Sequence, residues 1–398
     1  MVADANARAL GRSWRVISFL FAASLAACSD TTTLGTRPTY PGTDTLGQPP
    51  VAAAFTQMNT DARTIQVAVS SEGFGQRGFD YSATPAEGDI VFVDGWEVRF
   101  TRILVTVKNV RLNRPGTMPT VQTSLGALVA QNPRAYAVNV QRPGPLTGAG
   151  GGEETAIPLF VFRSGDDGAA LDPTVRYAIS YDVVPATMSA TNVNLDSADY
   201  TAYQTMINRG WTQLVEGTAT YRGTAPAMGS AFASYPTTVR FSLGYGAAAE
   251  YLNCYNPDNG GKETPGVQPN AGRAVRAQLT FHMDHFFWES LGAEDPPLHF
   301  DPFAARAMTM GTISVVTMDD LMGVVPTNLR DRMMRPVPDR GAQTRGYTAR
   351  NVDALSYSTG GVQGVNDLRD LVAYSARASG HLNADGLCAV RPSGALRY

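Results

Sequence analysis

Ile90-Val91-Phe92-Val93-Asp94-Gly95-Trp96-Glu97-Val98-Arg99-Phe100 is the stretch on which the fold turns. From Trp96 onward, apolar and charged side chains alternate, the period of a strand with one buried face. Asp-Gly between two such runs predicts a type I′ hairpin, because both residues tolerate the positive φ that this turn demands. The second arm continues as Ile103–Val107 and Val110–Leu112.

Reading outward, similar short runs occur at Thr64–Val69, Ile157–Phe162, Tyr177–Val184, Leu214–Tyr221, Val239–Tyr245 and Val275–Phe281. Connections rich in Gly, Pro and Asn separate them. Short strands at this spacing predict a mainly β body, an antiparallel sandwich or barrel, rather than a parallel sheet with crossover helices. Helices are secondary: Asp199–Asn208, Met318–Met322, and Asn366–Ala378, with Asn366 as cap and Gly380 as stop. Apolar content of 43% supports a packed core. A net charge of −3, with no block of like charge, leaves no electrostatic footprint for a nucleic-acid partner.

The first residues have a different character. Arg8, Arg12 and Arg15 precede an uncharged run, Val16–Ala27, that ends in Leu25-Ala26-Ala27-Cys28. The run is too short for a bilayer span, which takes about 20 apolar residues. Basic start, apolar run and small residues before a cysteine make an export signal, and this leader resembles that of bacterial lipoproteins. The resemblance implies diacylglycerol on the Cys28 thiol, cleavage before Cys28 and acylation of the new terminus, palmitate included. It implies a membrane partner through the lipid anchor. Ser29, rather than Asp, at the next position implies the outer membrane, on its periplasmic or cell-surface side. The expected organisation is leader 1–27, lipidated Cys28 with a Thr/Pro/Gly-rich tether to 55, an N-terminal β region 56–230 and a C-terminal β/α region 231–398.

In an exported chain the two remaining cysteines, Cys254 and Cys388, are expected to form a disulfide. The body's one strong departure from uniformity is its histidines. Three of the four, His282, His285 and His299, share an 18-residue window, and the fourth is His381. His282 continues the face of the 275–281 strand that carries Arg276, Gln278 and Thr280. Asp284 is placed to cap a short helix starting at His285. With His299, Asp301, His381 and Asp385 these residues form a candidate site for zinc or another divalent metal, since imidazole with carboxylate suits a borderline ion. His282-x-Asp284-His285 resembles the second half of the metallo-β-lactamase HxHxDH motif, but Thr280 stands where that motif needs its first histidine. No Gly-x-Ser-x-Gly nucleophile elbow occurs. The expected function is a non-catalytic, membrane-anchored binding protein of the cell envelope with a divalent metal site. The alternatives are a metal- or carboxylate-dependent hydrolase acting on envelope polymers, and an interaction scaffold.

Overall fold

The computed structural model describes residues 61–86, 89–118, 121–149, 154–259, 262–288, 298–325 and 365–398, with four two-residue strands between 329 and 348. The leader, Cys28 and the tether lie outside the described residues. Along the chain the elements are β1 (Ile65–Ser70), α1 (Glu72–Arg77), β2 (Trp96–Pro115), β3 (Leu125–Asn139), β4 (Leu146–Thr147), β5 (Thr155–Phe162), β6 (Ala178–Val183) and β7 (Thr191–Asn192). Then come α2 (Ser197–Arg209), β8 (Gln213–Tyr221), β9 (Thr238–Tyr245), β10 (Ala249–Leu252), β11 (Tyr255–Asn259), β12 (Lys262–Pro265), β13 (Val275–Phe281) and α3 (Asp301–Ala304). The chain closes with β14 (Met308–Met310), β15 (Ile313–Thr317), β16 (Leu329–Arg330), β17 (Pro336–Val337), β18 (Gln343–Thr344), β19 (Tyr347–Thr348), α4 (Leu368–Ala376), β20 (Gly380–Leu382), β21 (Gly386–Leu387) and β22 (Ala389–Pro392).

The molecule is mainly β, and one of its sheets curls into a half-barrel. One sheet has the order β21-β20-β13-β1-β5-β4, and the other runs β14-β15-β9-β8-β2-β6-β10-β22 with β3 and β7 beside β2. β2 is the spine of the larger sheet. On one side it pairs with β8 over its first half and with β6 over its second, while β3 follows the opposite side. At the break between Lys108 and Val110 the ladder slips around Asn109, whose φ is 58°. An extra residue in the left-handed region is a β-bulge, and a bulge bends its strand and raises its twist. The two sheets share one apolar core. Across it, Tyr136 of β3 stacks on Phe160 of β5 at 5.7 Å, and Tyr181 of β6 meets Phe281 of β13 edge-on at 6.4 Å. The 56–230 and 231–398 regions interleave in both sheets: β13 lies beside β1, and β9 beside β8.

Several local expectations are corrected. Asp94-Gly95 does not join a hairpin. Phe92 bridges Leu298 in parallel, and Val93 N–H donates to Leu298 O at 3.0 Å. The Asp94 carboxylate accepts the N–H groups of Phe300 and Asp301, each at 2.7 Å, so the turn is clasped by a distant loop instead of folding on itself. Among Asp94 and Gly95 only the glycine has positive φ, at 95°, which excludes type I′. β3 was hidden by Pro133, which falls where the β2–β3 register shifts and no ladder bond is lost. Pairing is mostly antiparallel, but β1–β13, β9–β15 and β3–β7 are parallel. The last helix is capped by Asp367, whose side chain accepts from Asp370 N–H, not by Asn366, and it ends at Ala376. Gly380 opens β20 instead: a Cβ there would lie 2.4 Å from the rings of Tyr181 and Tyr251.

Candidate metal centre

β13 points Ala277, Leu279 and Phe281 into the core. By strand alternation Gln278 and Thr280 face the other way, and His282 continues their line just past the strand end. Thr280 is in register with His381 on β20 and with Ser70 at the end of β1. Opposed residues of an antiparallel pair share a face, so His381 stands on the same side as Thr280. Two residues beyond Ser70, Glu72 begins α1 with φ at 57°. Three segments far apart in sequence are thus delivered to one corner of the smaller sheet.

His282, His285 and His381 each offer a ring nitrogen there, and the three atoms lie within 4.8 Å of one another. The His282 and His381 rings stack at 3.9 Å, while His285 meets both nearly edge-on, at 5.9 and 5.6 Å. A tetrahedral zinc site holds nitrogens about 2.0–2.1 Å from the ion, and these three residues could hold such an ion. His285 rides on a short 3-10 turn, Asp284–Phe287. Its Nδ1–H donates to Ser375 O of α4 at 3.2 Å, which leaves the Nε2 lone pair available to ligate. Nε2 of His282 donates to Glu72 Oε1 at 3.0 Å and to Ala384 O at 3.2 Å. A histidine whose second nitrogen is held by a carboxylate or carbonyl is the usual supporting arrangement around a metal ligand. His381 is 6% exposed, and its Nδ1 makes no hydrogen bond of normal geometry.

The electrostatics divide the trio. Burial disfavours the charged form of His282, but the hydrogen bond and charge of Glu72, with Asp284 behind it, outweigh burial and push it up to about 9. Burial pushes His285 and His381 well below the ordinary imidazole range, and the His282 charge pushes in the same direction. Burial also raises Asp284, opposed by His282 and by the Trp288 indole.

Asp385 belongs to a second group. One of its oxygens lies within 4.8 Å of ligand atoms of Glu72 and His282. Asp385 is exposed at the tip of the β20–β21 hairpin, where Asn383 and Ala384 take φ of 50° and 69°. A disulfide joins Cys254 to Cys388, with S–S at 1.97 Å, and so ties this hairpin to the β10–β11 segment. Gly386 lets the hairpin approach, since a Cβ there would lie 2.1 Å from Tyr255 O.

Three of the candidate ligands are placed otherwise. Asp284 is not a helix cap but the first residue of its turn, and its Oδ2 accepts the Trp288 indole N–H at 2.8 Å. Asp301 accepts Trp96 Nε1–H at 2.8 Å in an aromatic corner. His299, buried beside it, is not among the converging imidazoles. Glu72 was missed in the sequence. Its one local signal is a polar, glycine-rich step directly after a strand, Ser70-Ser71-Glu72-Gly73, and the β1–β13 pairing that gives the step meaning spans more than 200 residues.

Among the described residues no helix is long and apolar enough to cross a membrane, which leaves membrane-spanning strands unaddressed. The chain matches no protein-family model, no curated protein and no solved structure.

Proposed function

We propose that the protein is a cell-envelope lipoprotein, held to a membrane by acyl chains on Cys28, whose folded body binds one divalent transition-metal ion through His282, His285 and His381. The observation that supports it is the convergence of three imidazoles from segments about 100 residues apart, within 4.8 Å. Two of them have their second nitrogens tied to Ser375 O and to Glu72. Zinc fits best, because three neutral imidazoles with a nearby carboxylate suit a borderline ion without redox demands. His285 and His381 already favour the neutral form that ligation needs. Ligation by His282 would require it to give up one ring proton, the other remaining on Nε2 in its hydrogen bond to Glu72. The burial of His285 and His381 favours a closed, structural or sequestering site over a catalytic one with an open ligand position.

Titration of the purified full-length chain with zinc chloride, read by calorimetry and elemental analysis, is expected to give about one ion per chain, held by imidazole donors. No uptake of zinc, cobalt, nickel or copper overturns the metal reading. The anchor has its own test. Cys28→Ala is expected to move the protein into the soluble fraction with its fold intact, because acyl chains hold a protein by about 0.8 kcal/mol per buried CH₂. Retention on membranes after a high-salt wash would rule out lipid as the anchor.

A further inference from the structure

His282 is common to two ligand groups: a trio with His285 and His381, and an outer set with Glu72 and Asp385. His285 and His381 are buried, whereas His282 and Glu72 are partly exposed and Asp385 is exposed. An ion leaving water therefore meets the two carboxylates before it meets the inner imidazoles. We propose that Asp385 and Glu72, beside His282, form a capture position for a hydrated divalent cation, from which the ion passes inward to His282, His285 and His381. This rests on the metal reading above.

The chemistry of the two positions differs in the direction that a relay requires. Carboxylate oxygens take a hydrated ion readily, because they neutralise its charge while it keeps part of its water shell. Imidazoles hold a borderline ion more tightly once that water is gone. His381, nine-tenths buried and stacked on His282 at 3.9 Å, has an Nδ1 with no hydrogen bond of normal geometry. Glu72 serves both states. It faces the incoming ion, and once the ion has moved inward it holds Nε2–H of His282.

A residue that only passes an ion along changes the rates of entry and exit together and leaves the equilibrium alone. The experiment is stopped-flow uptake of cobalt(II) chloride by the full-length chain, and release to a chelator, for the wild type, Asp385→Asn and His381→Ala. Asp385→Asn, at an exposed side chain, is expected to slow both uptake and release by about tenfold, at high salt as well as low, where screening removes simple charge steering. The cobalt spectrum and the dissociation constant should stay within twofold of the wild type. Unchanged rates overturn the proposal, and so does a slowing that vanishes at high salt. Faster release with weaker affinity also overturns it, by making Asp385 a ligand of the resting ion. Failure of the metal reading looks different: the wild type gives no cobalt spectrum, or His381→Ala gives the same one.

Discussion

His285 and His299 are fourteen residues apart in the chain and both are buried, yet they belong to corners of different chemistry. The His285 corner gathers polar groups: His282, His381 and the carbonyl of Ser375 lie around it, with the Trp288 ring 3.6 Å away. The His299 corner is aromatic. Its neighbour Phe300 packs on Trp96 at 5.0 Å and stacks on Phe303 at 5.4 Å, and Phe287 meets Phe92 at 5.1 Å. There the polar groups are already matched: Trp96 donates to Asp301, and Asp94 accepts from the backbone of Phe300 and Asp301. One corner is packed mainly by aromatic rings, and the other brings three imidazole nitrogens within 4.8 Å of one another. Short sequence spacing does not distinguish them, because each corner is completed by residues from elsewhere.

The contrast can be broken most forcefully at the disulfide. The Cys254–Cys388 link closes a separation of 134 residues, for which chain entropy gives about 5 kcal/mol. Replacing both cysteines by serine is expected to lower stability by that order in urea unfolding. It should also weaken zinc binding, since the stapled hairpin carries His381. Loss of stability with unchanged zinc affinity would detach the hairpin from the site.

Trp96→Ala tests the aromatic corner. Deleting a fully buried tryptophan and orphaning Asp301 is expected to cost about 3–5 kcal/mol, with zinc affinity per folded molecule unchanged. A parallel loss of zinc affinity in calorimetry would show that the two corners are coupled.

His381→Ala and His299→Ala sharpen the division between histidines. The first is expected to weaken zinc binding by more than about 100-fold, beyond the range typical for supporting residues, and the second by less than about twofold. Equal losses would erase the distinction drawn here. Glu72→Gln keeps a hydrogen-bond acceptor but loses charge, so about tenfold weaker zinc binding is expected, the lower end for a supporting carboxylate. It should also lower the pH at which His282 titrates by NMR.

The smallest effect is that of pH on the metal-free protein. His282 is raised from 6.5 to about 9, so its stabilisation is complete below 6.5 and is lost as pH rises through 9. His285 and His381 are depressed, so theirs is present above 6.5 and is lost as pH falls towards their folded values. Stability from these groups should therefore peak near pH 6.5 and fall from there towards pH 9. A flat or rising stability from pH 6.5 to 9 in thermal unfolding would contradict the Glu72–His282 pair.

Much was legible in the sequence where the signal is local. Val275–Phe281 was bounded as it stands, because strict alternation marks both its faces, and β8 and β9 were bounded to within a residue. The capped helix α2 was found nearly whole, and the pairing of Cys254 with Cys388 followed from the count of cysteines. Of the seven candidate ligands, His282, His285, His381 and Asp385 do meet in one corner, while Asp284 and Asp301 accept tryptophan N–H groups and His299 is not among the converging imidazoles.

The sequence by itself determined the strand-rich class and the histidine-bearing face of β13, and it is the ground for the export signal proposed at Cys28. Those readings rest on period, composition and a short motif, which neighbours in the chain suffice to write. Only the tertiary structure decided that Asp94 would clasp Phe300 and Asp301 instead of closing a hairpin, that Glu72 would face His282, and that His381 rather than His299 would complete the trio. Each of these follows from strand registers and loop contacts between distant segments. A one-residue slip in such a register would turn every side chain of the strand to the opposite face, and no local pattern records which register is adopted.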